Sequence, residues 1–180
     1  MRKTILFIAM SLDGYIAGRD GSVDWLRGQE PGQDDMSSYD AFIRGIDTVV
    51  MGWTTYHQIV TQLSPGQWAY GGMTSYVLTH RPLPSTEEIR FVREDTCALI
   101  RRLKREPGKD IWICGGAGVI QPLLRDALID RFHLSVIPVI LGDGIRLFQP
   151  MDTGIPLRSA AVRRYNGIVD LVYEPRAPHT

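Results

Sequence analysis

Ile111-Trp112-Ile113-Cys114-Gly115-Gly116-Ala117-Gly118-Val119-Ile120 passes from an apolar run into three glycines within four residues, and then into helical apolar spacing at Val119, Ile120, Leu123 and Leu124. The pattern is that of a strand, a glycine turn and a helix. Glycine lets backbone approach a ligand closely, and the free amide hydrogens that open a helix suit a phosphate. Two readings stay open on this stretch alone: a nucleotide held at the carboxyl end of a strand, or a glycine-rich connection with nothing bound.

Working outward, the same arrangement occurs earlier. Residues 47–52 (DTVVMG) read as a strand, and Trp53-Thr54-Thr55-Tyr56 opens a helix with Thr54 as its expected cap. The run 5–10 is continuously apolar and bounded by turn residues, as in a strand covered on both faces. Residues 75–79 form a further strand running into His80-Arg81-Pro82, and 89–92 a short one. Between the first two strands, 11–35 is a polar loop with aromatic anchors, long enough to act as a lid or binding loop. Ser37 or Ser38 is expected to cap a helix through Tyr39, Phe42, Ile43 and Ile46. Asp95 is expected to cap a helix with Leu99, Ile100 and Leu103 on one face, stopped by Pro107-Gly108. After the central motif come a strand over 132–141, the turn Gly142-Asp143-Gly144, and strands over 157–165 and 168–173 joined by the hairpin pair Asn166-Gly167. Alternating strands and helices followed by strands alone predict an α/β fold: a mixed sheet, parallel at first with antiparallel additions, in a single domain over 1–175 with a loose tail at 176–180.

Composition restricts the function classes. The 180 residues are 44% apolar and 22% charged, as in an ordinary globular protein, and 20 basic residues balance 20 acidic ones. No overall field favours nucleic acid or an anionic membrane, so any anion site is local. Cys97 and Cys114 lack metal-like or CxxC spacing and are expected as buried or half-buried thiols of a reducing, cytoplasmic compartment. The four scattered histidines suggest no metal site. No run approaches the roughly 20 apolar residues of a membrane helix. The basic cluster 101–105 reads as a solvated helix face.

Three strands thus end in glycine or polar signals at 52–55, 79–81 and 115–118, and in open α/β sheets such ends can converge on one extended ligand. A Rossmann fingerprint is incomplete: GxGxxG is not satisfied, and about 20 residues on stand Ser135 and Val136 instead of an acid. A P-loop fails for want of GK[ST].

At this point five segments, in order, resemble the dihydrofolate reductase-like family, in particular the pyrimidine reductase of riboflavin biosynthesis and related small bacterial reductases. They are MSLDGYIAGRDGSVDWL (10–26), DTVVMGWTTY (47–56), YVLTHRP (76–82), IWICGGAGVI (111–120) and DRFHLSVIPVILGDGIRLF (130–148). The resemblance implies a three-layer fold and an NADPH-dependent reductase of a small pyrimidine- or pterin-like heterocycle, often a homodimer. It would put Ala9 and Ile16 at the nicotinamide, with Asp13, Gly14 and Tyr15 shaping the adjoining loop. Gly52, Trp53, Thr54, Thr55, Gly115, Gly116, Ala117, Gly118 and Val119 would surround the diphosphate. Thr79, His80 and Arg81 would surround the adenosine ribose, with Arg81 on its 2′-phosphate. Trp25 and Tyr15 would lie near substrate, and Ser135 would line its pocket. Asp13, Asp40 or a water on Ser135 would supply the proton.

Two departures qualify the resemblance. Trp53 stands where the family usually has arginine. Ser38 stands where folate reductases carry an acid, with Asp34, Asp35 and Asp40 nearby, so true dihydrofolate reduction is not expected. The alternative is an inactive nucleotide-binding or structural protein of the same fold. Asp13 also has a plain reading as a turn-capping residue.

Overall fold

The computed structural model describes residues 1–33 and 35–176; Asp34 and residues 177–180 of the expected tail lie outside them. Strands and helices alternate through β1 (Thr4–Ser11), β2 (Tyr15–Ala17), α1 (Ser37–Ile43), β3 (Ile46–Gly52), α2 (Trp53–Gln58), β4 (Thr74–Leu78), β5 (Ile89–Val92), α3 (Thr96–Leu103), β6 (Asp110–Gly115) and α4 (Ala117–Arg125). The strands β7 (Arg131–Ile137), β8 (Ile145–Arg146), β9 (Leu157–Tyr165) and β10 (Ile168–Pro175) follow. A π-helical turn, Ile59–Leu63, continues α2.

Eight strands form one sheet in the order β5-β4-β3-β6-β1-β7-β10-β9. All neighbours are parallel except β7–β10 and β10–β9. This is the mixed sheet expected from the order of sequence patterns. The long apolar runs arise because both faces are covered. Leu6, Val50, Ile111 and Ile113 point into one core with Leu99, Ile100 and Leu103 of α3 and Ile120 and Leu123 of α4. Ile5, Val49, Met51 and Trp112 point into the other, against Tyr39 and Phe42 of α1 and Trp53 and Tyr56 of α2. Helices on both faces make three layers.

Local chemistry explains the ends. Asp95 caps α3 by accepting from the Ala98 amide at 3.0 Å. Asn166 (φ 43°) and Gly167 (φ 76°) both occupy the left-handed region, which a two-residue hairpin turn of this hand requires.

The structure also departs from expectation. Thr54 does not cap α2: the helix opens on Trp53 after an extended Gly52, with no side-chain cap. Neither Ser37 nor Ser38 caps α1; Met36 holds that position, and Ser38 lies within the helix and donates instead to Asp170. Ile46 opens β3 and is no part of α1. The strand expected to reach Leu141 stops at Ile137, before Pro138, which has no amide hydrogen for the ladder. The polar loop contributes an unforeseen strand, β2, which pairs antiparallel with β8 in a separate two-stranded sheet. Further on, the loop is fastened to the β9–β10 turn, where Asn166 accepts from the Gln29 and Glu30 amides and donates to the Glu30 carbonyl. Among the described residues, no helix is long and apolar enough to cross a membrane.

Candidate functional site

Parallel strands present their carboxyl ends at one edge, and there β1, β3 and β6 open onto a cleft of about 570 Å³. That volume falls within the usual range for small-molecule sites. Ile8, Ala9, Ile16 and Ala17 form one wall, and Gly52, Trp53, Thr54 and Thr55 another. Cys114, Gly115, Gly116, Ala117, Gly118 and Val119 form the floor, and Val23, Leu26 and Tyr70 approach from loops. Among the described residues, the side chains lining it include no Lys, Arg, His, Asp or Glu.

The two glycine turns meet at this floor. A Cβ built on Gly116 would lie 3.4 Å from Thr55 Oγ1, and one on Gly52 would lie 3.3 Å from Val119 Cγ2. Side chains there would fill the concavity, so the surface offered to a ligand is backbone and threonine hydroxyl. The Gly115–Gly116 peptide is cis. The Arg81 guanidinium, from the loop after β4, lies over the Trp53 indole with Cζ 4.7 Å from the ring centroid. Thr79 is buried, and its Oγ1 accepts from the Arg81 amide at 3.1 Å; His80 is exposed.

Of the β4 strand end only Leu78 lines the cleft, and Thr79, His80 and Arg81 do not; the remaining sequence-predicted residues also lie elsewhere. Asp13 ties the β1–β2 turn to the loop before β8: Ser11 Oγ and the Leu141 and Gly142 amides donate to its carboxylate. The Ser11 hydrogen bond is the largest influence, and with the two amides it outweighs desolvation and holds the Asp13 carboxyl down at about 2. Tyr15 is buried and its hydroxyl donates to the Gly142 carbonyl at 3.4 Å. The Trp25 indole donates to the Ser22 carbonyl at 3.3 Å, while its neighbours Val23 and Leu26 line the cleft. Asp40 is exposed on α1. Ser135 is buried under the sheet and donates to Asp170 Oδ1 at 2.6 Å.

Sequence reading missed two features. The first is Tyr70, whose hydroxyl is 3.4 Å from Cys114 Sγ in the cleft wall. Burial pushes the phenol well above its usual range and the Cys114 thiol up to about 11, so both hold their protons at neutral pH. Tyr70 lies in an irregular glycine-rich loop and carried no pattern. The second is Asp170, 1% exposed, which accepts from Ser38 Oγ at 2.7 Å and Ser135 Oγ at 2.6 Å, with His133 Nε2 at 3.4 Å. An acid between Val169 and Leu171 was the available signal.

The RibD C-terminal domain model matches residues 2–169. The chain belongs to the RibD C-terminal domain family. Its fold is dihydrofolate reductase-like, as the resemblance implied. The Bacillus subtilis protein YwjB is 40% identical over 175 residues, covering 96% of this chain and 97% of that protein. A Shewanella sp. PV-4 protein named for riboflavin biosynthesis superposes with a TM-score of 0.84 at 26% identity, over 97% of this chain and 99% of that one. Acinetobacter baumannii RibD shares the fold at a TM-score of 0.72 and 20% identity, and this RibD C-terminal domain chain spans 58% of its length. Family membership supports a riboflavin-pathway, pyrimidine reductase-like role.

Proposed function

We propose that this RibD-family chain is an NADPH-dependent reductase that delivers hydride to a small pyrimidine- or pterin-like heterocycle, acting as a cytoplasmic homodimer. The observation that carries the reading is the convergence of three strand ends on one uncharged, glycine-floored cleft. Backbone amides at Gly115, Gly116, Ala117 and Gly118 and the hydroxyls of Thr54 and Thr55 fit a diphosphate without competing side chains. Ala9 and Ile16 would receive the nicotinamide, and Thr79, His80 and Arg81 the adenosine ribose and its 2′-phosphate. When bound, NADPH supplies the hydride.

The chain's own residues then have to orient the acceptor, exclude water and provide a proton. None of Asp13, Asp40 and Ser135 lines the cleft, whereas Tyr70 does and holds its proton at neutral pH. We assign Tyr70 as a hydrogen-bonding group for the acceptor in the cleft lining; its phenol, raised above the usual range, is too weak an acid to be assigned as the proton donor, and Trp25 and Tyr15 would shape the 11–35 loop near substrate. Titration with NADPH, followed by tryptophan fluorescence and thermal midpoint, tests the cofactor reading. At 100 times its dissociation constant the ligand should stabilise the fold by about 2.7 kcal/mol. No response at millimolar NADPH would leave the structural-domain alternative.

A further inference from the structure

We propose that Trp53, in the cleft lining, is a positioning residue: its indole holds the Arg81 guanidinium over its ring and so sets the preference for a nucleotide bearing a 2′-phosphate over one without it. The inference rests on the NADPH reading above.

Adjacent strands bring the two residues together. Gly52 of β3 pairs with Leu78 of β4, so Trp53 and the segment 79–81 leave the sheet side by side. The loop is held by the Thr79 amide donating to the Val92 carbonyl at 2.9 Å and by the Arg81 amide on Thr79 Oγ1. Trp53 is itself seated among rings, with Tyr56 at 5.6 Å and His57 at 5.5 Å between centroids.

The nature of the restraint decides its meaning. Arg19, Arg101, Arg102, Arg158 and Arg163 are each paired with a carboxylate. Among the described residues Arg81, like Arg90 and Arg146, has no such ion pair and lies on an aromatic face, but of the three rings only Trp53 lines the cleft. A carboxylate partner would consume N–H donors and neutralise the charge. An indole face does neither: it restrains the plane of the guanidinium electrostatically and leaves its five N–H donors directed at a ligand. A phosphate is the ligand a planar guanidinium fork fits, through paired charge-assisted hydrogen bonds. The cleft lining has no cation of its own, so this fork is how the site would tell a phosphorylated ribose from an unphosphorylated one.

The test is calorimetric titration of NADPH and NADH against the full chain and its Arg81→Ala, Trp53→Leu, Trp53→Phe and doubly substituted variants. Loss of a charge-assisted fork in Arg81→Ala should lower the NADPH-to-NADH preference at least tenfold. Trp53→Leu should lower it about two- to fivefold, the size of an exposed cation–π contact. Trp53→Phe, which retains a ring face, should keep most of it. In the Arg81→Ala background Trp53→Leu should change the preference no further. Equal weakening of both coenzymes by Trp53→Leu, or the same drop with Arg81 already removed, would overturn the positioning role. If the unaltered chain binds neither coenzyme, the parent reading falls and this one falls with it; binding of both without preference overturns only this one.

Discussion

Replacing Asp170 by asparagine keeps the shape of the side chain and removes its charge. In the native fold both carboxylate oxygens are occupied, Oδ1 by Ser135 at 2.6 Å and the Tyr165 hydroxyl at 3.3 Å, and Oδ2 by Ser38 at 2.7 Å with His133 beside it. Burial alone would raise the carboxyl, but hydrogen bonds from His133, Ser135 and Ser38 outweigh it and hold it at about 2. An unfolded aspartate titrates near 3.9. The folded value is the lower, so ionisation stabilises the fold fully above about pH 4, and that contribution, about 2 kcal/mol, is lost as pH falls toward 2. The amide cannot accept from all these donors and places its own N–H₂ against hydroxyls. Asp170→Asn should therefore unfold about 2 to 4 kcal/mol more easily at pH 7, and the difference from the native chain should shrink between pH 4 and pH 2. Urea denaturation at pH 7, 4, 3 and 2.5 measures this; comparing the two chains at each pH cancels the other depressed carboxyls, Asp13, Asp20, Asp35 and Glu174. Equal midpoints at pH 7, or a difference independent of pH, would refute the reasoning.

Gly118→Asp tests the anion-binding floor without disturbing packing, because no heavy atom lies within 4 Å of a Cβ built there. A carboxylate in the first turn of α4 should leave the thermal midpoint unchanged or slightly raised, and should weaken NADPH about fivefold or more through like-charge repulsion of about 1 to 4 kcal/mol near 4 Å; unaltered affinity in a calorimetric titration would remove the diphosphate from this position. Asn166→Ala places alanine at φ 43° and deletes the contacts to Glu30. It should cost about 1 to 2 kcal/mol and speed amide hydrogen exchange at Gln29 and Glu30, whereas Asn166→Gly should recover the turn but leave exchange at Glu30 fast. An exchange rate equal to the native one in both variants would contradict the fastening of the loop to this hairpin.

The mixed character of the main sheet was legible because burial on both faces writes itself as continuous apolar runs, and because Gly52, Gly115, Gly116 and Asn166-Gly167 mark turns that few other residues can make. The glycine turns that floor the cleft were legible for the same reason: close backbone approach demands glycine, and glycine is visible. The rest of the cleft lining was not. Asp13, Tyr15 and Ser135 were the polar residues nearest the recognisable motifs, yet their side chains close turns and bury under the sheet, while Tyr70 enters the cleft from a loop without periodicity.

By itself, then, the sequence determined most strands of the main sheet, though not β2 or β8, and that three strand ends carry glycine or threonine suited to an anion. Only the tertiary structure decided which of those ends share a cleft, that Asp170 sits inside a cage of hydroxyls and imidazole, and that Arg81 rests on Trp53 free of any carboxylate among the described residues. The physical reason is that local propensity and burial depend on neighbours along the chain, whereas a site depends on strand order and side-chain direction. Those arise when residues such as Ser38 and Asp170, or Gly21 and Gln58, meet across the fold.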